Sequence, residues 1–333
     1  MFEIIITKLL YLIYYQLTIL YPQLLNVCYN KNQKFMKQNI IIVILSFLFT
    51  NIYGQKNELG YKTESHKIYS SDNDEYLLKV TFPRNYDPNK EYKTLYYLDA
   101  YWLTEIVLGS YTILDLCDYV ENIVFVGVSL HGSEKDWNTQ RNMDFTPTPF
   151  QNLGLLDKLK EKDEKNKMKI TITSGAGNLF NKNSTGGANL FLDFLENDII
   201  NFIENKYPNL NKRKGLLGHS LGGLFGFYTL KNRPELFQDL LLISASLSWN
   251  SSEIVSEEFF SKLLKSKTDI KLYHSYGTDE VKATVKSNNT LSEMITQKEI
   301  KNFNYNFSPI KKANHHSVLS RAIYDGLLYL YRK

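Results

Sequence analysis

Residues 214–226 read KGLLGHSLGGLFG, with glycines at 215, 218, 222, 223 and 226 gathered around one serine. Glycine inside a regular element costs about 0.5–1 kcal/mol relative to alanine, so this crowding says that backbone geometry, and not packing alone, dictates the residues. Gly218-His219-Ser220-Leu221-Gly222 fits G-x-S-x-G, with the apolar run GLL before it and LFGFYTL after it. That is the strand-turn-helix setting of a nucleophile elbow. In so tight a turn the serine takes strained backbone angles, and residues two before and two after it pack together. A Cβ at Gly218 or Gly222 is expected to collide, while Gly223 and Gly226 let the helix lie close to neighbouring strands. The turn lifts the Ser220 hydroxyl above the sheet and aims the Leu221 amide at the place where an oxyanion forms.

A serine hydroxyl is a poor nucleophile until a base takes its proton, so a histidine and an orienting carboxylate are expected downstream, in the order Ser, acid, His. Of six histidines, His66 and His131 precede the serine. His219 adjoins it on the turn, where its side chain is expected to point elsewhere, and His274 lies in a predicted strand as a hydrogen-bonded core residue. Ala313-Asn314-His315-His316-Ser317 remains, a predicted loop before the last helix. Asp279 and Glu280 follow the predicted strand KLYHSY in the turn Gly277-Thr278-Asp279-Glu280, and either can serve as the acid.

Working outward, strands are predicted over 76–82, 93–98, 123–129, 214–218, 240–246, 270–276 and about 302–308. Helices are predicted over 186–207, 221–232, 253–265 and 318–331. The β-branched run IVFVGVS at 123–129 suits a strand buried on both faces. The alternation predicts an α/β fold, a mostly parallel central sheet with helices on both faces, in one domain over 55–333. Residues 150–186 stand apart: the charged run DKLKEKDEKNKMK precedes the polar SGAGNLFNKNSTGG, an insertion that is either a solvated helix with its loop or a lid.

The N-terminus reads as leader. Met36 opens MKQN, an apolar run from Ile40 to Phe49 and a small residue, Gly54, before a polar stretch: the layout of a signal peptide over 36–54. Residues 1–35 are expected to be an over-extended start, or an apolar leader. Cleavage near Gly54 removes Glu3, Lys8, Lys31, Lys34 and Lys37, and so takes the 39 Lys+Arg and 35 Asp+Glu down to 35 and 34. The net charge of +4 thus comes mostly from the leader, and no electrostatic footprint for nucleic acid remains. Cys28 would leave with it, so Cys117 is expected to stand alone without an intramolecular disulfide.

Several motifs in order resemble the α/β-hydrolase superfamily, and within it the esterase D-like esterases, which include bacterial siderophore esterases, feruloyl and acetyl-xylan esterases and S-formylglutathione hydrolases. They are VTFPRNYDPNKEYKTLYYLDAYW, RNMDFTPT at 141–148, GGANLFLDFLENDIINFIENKYP at 186–208, GHSLGG, and LISASLSWN at 242–250. The likeness runs from about Tyr61 to the C-terminus and implies an α/β-hydrolase fold. Its base pattern, His-x-Ser/Thr-Val, favours His315 over His316, and its acid position favours Glu280 over Asp279. It implies a second oxyanion amide at Ala100 or Tyr101, where Ala100 replaces the usual glycine of Leu-Asp-Gly.

Arg141 and Asp144 are expected on a loop at a strand's carboxyl end, with Arg141 either holding an acidic substrate group or pairing with Asp144. Tyr101, Trp102, Trp137 and Trp249 are candidates to line an apolar or aromatic substrate site. The expected activity is that of an exported, periplasmic or secreted serine carboxylic-ester hydrolase, working through an acyl-enzyme on a siderophore or carbohydrate-linked ester. It needs no metal and no cofactor. Its partner is a small-molecule ester, without nucleic acid or stable membrane insertion. An acyltransferase with the same Ser-His machinery and an inactive binding protein on the same fold are the alternatives.

Overall fold

The apolar runs become strands of one twisted sheet in the computed structural model, which describes residues 60–130, 132, 134–151, 182–210 and 213–333. In chain order these are β1 (Lys62–Tyr69), β2 (Glu75–Phe82), β3 (Lys93–Tyr97), β4 (Ile123–Leu130), β5 (Arg213–His219), β6 (Asp239–Ile243), β7 (Ile270–Gly277) and β8 (Phe303–Ile310). They lie side by side in the order β1-β2-β4-β3-β5-β6-β7-β8. The pairs β1/β2 and β2/β4 are antiparallel, and every pairing from β4 to β8 is parallel. The mixed sheet with its helices is an α/β-hydrolase fold.

Burial explains the sequence pattern. All of β6 and the first seven residues of β4 are buried, as continuous apolar runs require, whereas β1, at one edge, alternates half-buried and exposed positions along most of its length. Neighbouring residues on a strand feed different cores. Leu216, Leu240 and Leu242 pack on one face with Phe191, Leu224, Phe225 and Phe260, while Leu217, Leu241 and Ile243 pack on the other with Leu103, Val107, Ile323 and Leu327. The second face is covered by α1 (Ala100–Leu116) and, from the chain's end, by Leu319–Tyr331. Between them in sequence come α2 (Glu134–Phe145), α3 (Ala188–Phe194) leading through a π-helical segment (Leu195–Ile200) into α4 (Asn201–Lys206), α5 (Leu221–Asn232), α6 (Phe260–Leu263) and α7 (Lys282–Thr296). The C-terminal helix is therefore α8.

Four elements were not anticipated: β1, α1, α2 and α7. Helix α2 is mostly polar (EKDWNTQRNMDF) and lacks an apolar stripe, so tertiary contacts and not periodicity fix it. Arg141 and Asp144 consequently sit on a helix, not on the expected loop. The helix predicted over 253–265 is reduced to a turn at Glu257–Phe259 and α6, because the stretch before it is used otherwise: Ile254 is buried and the Glu253 carboxylate accepts a hydrogen bond from Thr148. The expected leader (1–35), the signal peptide (36–54) and most of the insertion at 150–186 lie outside the described residues. No helix among the described residues is long and apolar enough to cross a membrane.

Candidate active site

Strand β5 ends at His219 and α5 begins at Leu221, leaving Ser220 alone in the turn at φ 59° and ψ −117°. A non-glycine residue with such angles carries about 1–3 kcal/mol of strain, which the surroundings must over-determine. Here the Ser220 amide donates to Ile243 O (3.0 Å), and its carbonyl accepts from the amides of Leu224 and Ser246, each at 3.0 Å. Gly218 is indispensable to this geometry: a Cβ there would lie 2.2 Å from the carbonyl oxygen of Gly222. Gly222 itself corrects the sequence reading. A Cβ on it would meet nothing closer than Asp99 Oδ2 at 3.5 Å, an ordinary contact, because its own Cα–Cβ direction faces away from Gly218. Gly223 and Gly226 do permit close approach: a Cβ on Gly223 would lie 3.0 Å from Ala245 Cα, and one on Gly226 would lie 2.2 Å from Leu242 Cδ2.

Ser220 Oγ lies 2.9 Å from His315 Nε2, and His315 Nδ1 lies 2.8 Å from Glu280 Oε2. The other carboxylate oxygen of Glu280 accepts from Ser244 Oγ (2.5 Å) and from the Gly277 amide (2.9 Å). Burial alone would raise the Glu280 carboxyl, but hydrogen bonds from His315, Ser244 and Gly277 outweigh it and hold the group below its ordinary 4.5. An ionised carboxylate only accepts, so His315 Nδ1–H donates to it and Nε2 is left to accept from the Ser220 hydroxyl. That is the tautomer a general base needs.

The competing residues are elsewhere. Asp279 is exposed, its carboxylate accepting from Thr278 (3.3 Å) while its amide donates to Ala313 O. His316 turns its ring towards Trp102 and His219, and its own amide donates to Asn314 Oδ1. His274 is fully buried between Tyr305 and Asn288, as expected of a core residue. Close approach of the base loop to the acid turn requires Gly277, where a Cβ would lie 2.2 Å from Ala313 O.

Leu221 is the first residue of α5, and Ala100 and Tyr101 are the first two of α1. Amides in a first helical turn have no acceptor within their own helix, so none of these three candidate oxyanion donors is taken up by the helix it begins. Asp99 governs the start of α1. It adopts φ 58°, its carbonyl accepts from the Trp102 and Leu103 amides, and its fully buried carboxylate takes both Nε (2.9 Å) and Nη2 (2.8 Å) of Arg141. Arg141 thus pairs with Asp99, not with Asp144, and its guanidinium also lies over the rings of Trp137 (5.2 Å) and Phe145 (5.5 Å). Asp144 accepts instead from Tyr76 Oη (2.8 Å) and Gln140 Nε2 (2.9 Å), and burial pushes its carboxyl up to about 7.

Among the aromatic candidates, Tyr101 is exposed and stacks on Trp137, and Trp102 is half-buried against the His219 and His316 rings. Trp249 is buried: its Nε1 donates to Thr148 O (3.1 Å) and its ring packs on Phe150, which makes it a clamp for the 148–150 stretch. Sequence reasoning missed Ser244, the Asp99–Arg141 pair and the contact His219 makes with the base loop. The first two carry no local signal, since their partners lie 36 and 42 positions away.

An α/β-hydrolase fold with a Ser-His-Glu hydrogen-bond chain at the carboxyl ends of its parallel strands defines the class. Residues 70–323 match the family model Esterase, described as "Putative esterase", and the chain belongs to that family. It is 40% identical over 73 residues to the siderophore triacetylfusarinine C esterase of Aspergillus fumigatus, covering 22% of this chain and 25% of that protein. It is 33% identical over 111 residues to the ferri-bacillibactin esterase BesA of Bacillus subtilis, covering 33% and 38%. The matches thus span well under half the length of these curated relatives. In three dimensions it is similar to the BES protein of Bacillus cereus (TM-score 0.66, 24% identity, 81% of this chain and 96% of that one). It is also similar to an IroE-like serine hydrolase of Shewanella oneidensis (TM-score 0.63, 20% identity, 81% and 80%).

Proposed function

We propose that the protein is a serine carboxylic-ester hydrolase that works through an acyl-enzyme. The hydrogen-bond chain from Ser220 Oγ through His315 to Glu280 carries the reading. Ser220 Oγ attacks the ester carbonyl carbon as its proton passes to His315 Nε2, and the resulting imidazolium is stabilised by the Glu280 carboxylate. The oxyanion accepts hydrogen bonds from the Leu221 amide and from the first turn of α1, where a single donor is typically worth about 10²–10³ in rate. Collapse of the intermediate expels the alcohol, protonated by Nε2, and water activated by His315 then releases the acid.

The names of the matched relatives favour an iron-chelator ester as substrate. The Arg141 charge is already taken by Asp99, so Arg141 serves to brace the start of α1 and does not act as a free clamp for an acidic substrate group. The composition of residues 36–54 supports export. The test is direct: wild-type protein and Ser220→Ala are incubated with siderophore esters and with p-nitrophenyl butyrate, and the products are identified by mass spectrometry. Hydrolysis by the wild type alone, with an acyl adduct on Ser220, is expected. Turnover by Ser220→Ala at the wild-type rate would refute the serine mechanism.

A further inference from the structure

His219, between Gly218 and Ser220, has a role that the Ser-His-Glu chain does not use. Its side chain is buried, and its Nε2 lies 2.8 Å from the backbone carbonyl oxygen of His315. A carbonyl only accepts, so Nε2–H donates and Nδ1 carries a bare lone pair. Among the described residues that Nδ1 is buried without a hydrogen-bond partner. An apolar side chain of similar shape would avoid leaving an acceptor unsatisfied there, so the imidazole is kept for the one bond it makes. We propose that His219 is a positioning residue that ties the backbone of the base to the nucleophile's own turn.

The tie closes a ring. It runs from Ser220 Oγ to His315 Nε2, down that side chain to the His315 carbonyl, across to His219 Nε2, and back along one peptide to Ser220. The rest of the base loop is fastened away from the nucleophile. Ala313 O accepts from the Asp279 amide on the acid's turn, and Asn314 and Ser317 bond within the loop itself. The His219 ring lies 4.6 Å, centroid to centroid, from that of His315, and meets Trp102 (5.8 Å) edge-on. Burial first, and then the neighbouring His315, push His219 well below the usual histidine range, so it adds no second positive charge when the base becomes an imidazolium.

The two bonds of the ring have different lifetimes in the reaction, and this proposal rests on the acyl-enzyme reading. The Ser220 hydroxyl bond to His315 vanishes once Oγ is acylated. The His219 bond persists, and it then holds the imidazole where it can activate water. Loss of His219 should therefore slow deacylation more than acylation.

The experiment is stopped-flow hydrolysis of p-nitrophenyl butyrate by the wild type, His219→Phe and His219→Gln, with melting temperatures measured alongside. His219→Phe removes the donor, and an imidazole displaced by about 1 Å should lower kcat by roughly 10–100-fold. A burst of nitrophenol and a butyryl adduct on Ser220 should appear with it. His219→Gln sets an amide N–H near the position of Nε2 and should restore most of kcat and abolish the burst. If His219→Phe does not fold, His219→Met, of similar length and without a donor, takes its place in the comparison with Gln. Wild-type kcat without a burst in the donorless variant, or equal losses in the Gln and donorless variants, overturns the proposal. A wild-type protein inert towards every ester instead overturns the hydrolase reading on which it stands.

Discussion

Gly277→Ala tests whether the base loop is held by close backbone approach. The residue ends β7, and its amide is one of the two groups on Glu280 Oε1. A methyl group there would lie 2.2 Å from Ala313 O, 2.6 Å from Ala313 C and 2.9 Å from Asn314 O. All three atoms are backbone, so no side chain can swing aside. Reaching even 3.0 Å from Ala313 O, below which real Cβ contacts are essentially absent, displaces the loop by roughly 0.8 Å. His315 is two residues further on and reaches Ser220 across 2.9 Å. A shift of this size stretches that bond past 3.5 Å or turns it out of line, and misplacement by about 1 Å costs on the order of 10²-fold in rate. The assay is kcat for p-nitrophenyl butyrate, with the extent of labelling by a fluorophosphonate. Gly277→Ala should keep slow labelling and lose about two orders of magnitude in kcat. A folded Gly277→Ala protein with wild-type kcat would show that the loop yields freely and that its approach to Gly277 does not set the geometry of the base.

Replacing His315 by Ala should reduce kcat by several orders of magnitude, whereas His316→Ala should cost at most roughly tenfold, since only the former reaches Ser220. The reverse ranking would refute the assignment of the base. By the same logic Glu280→Gln should lose more activity than Asp279→Asn. Gly218→Ala should be insoluble or inactive, because its methyl group meets the Gly222 carbonyl, while Gly222→Ala should fold and hydrolyse esters; equal behaviour in expression and activity assays would contradict the asymmetry of the turn. Asp144 has a pH signature. Its carboxyl rises from 3.8 to about 7 on folding, so it weighs against the folded state progressively as pH climbs between those values, and by a constant amount above them. Asp144→Asn, in which the Tyr76 hydroxyl can turn to accept, should gain melting temperature over the wild type at pH 8 and lose that advantage by pH 4; a difference that is flat with pH would exclude the burial effect.

What could be read from the sequence was local. The turn at Ser220 announced itself because a turn this tight demands Gly218, and α5 is bounded at Leu221 and Asn232 as the sequence predicts because its neighbours are a strand end and a loop. The order of the chain narrowed the base to two adjacent histidines and the acid to two adjacent carboxylates, but spacing alone could not separate them. Facing is decided by where the loop is anchored, at Gly277 and His219, and both contacts are long-range. Gly222 was misread because the two arms of the turn were treated as equivalent, although only one points its hydrogen at the other. Arg141 was misplaced because α2 has no apolar stripe to declare a helix, and its true partner, Asp99, belongs to the start of a helix that was not anticipated either.

Strand β6 carries none of the reacting groups, yet its exit organises them. Adjacent strands lie about 4.8 Å apart, so β5 and β7, two steps apart across β6, bring Ser220 and Glu280 to ends separated by about 10 Å. The imidazole of His315, entering after β8, spans that gap. Beneath it Ser244, at φ 49°, donates to Glu280, and the amide of Ser246 donates to the carbonyl of Ser220, so one three-residue segment grips both ends of the chain of hydrogen bonds. The segment is itself fixed at its middle. Asn288 Nδ2 donates to Ala245 O (2.9 Å) and to Thr284 O (2.8 Å), which leaves its Oδ1 to accept from His274 Nε2–H (2.8 Å). His274 Nδ1 must then accept from the Tyr305 hydroxyl (2.9 Å). Burial lowers His274 to about 4, so this buried relay stays neutral and keeps its hydrogen-bond polarity while the site above it exchanges protons.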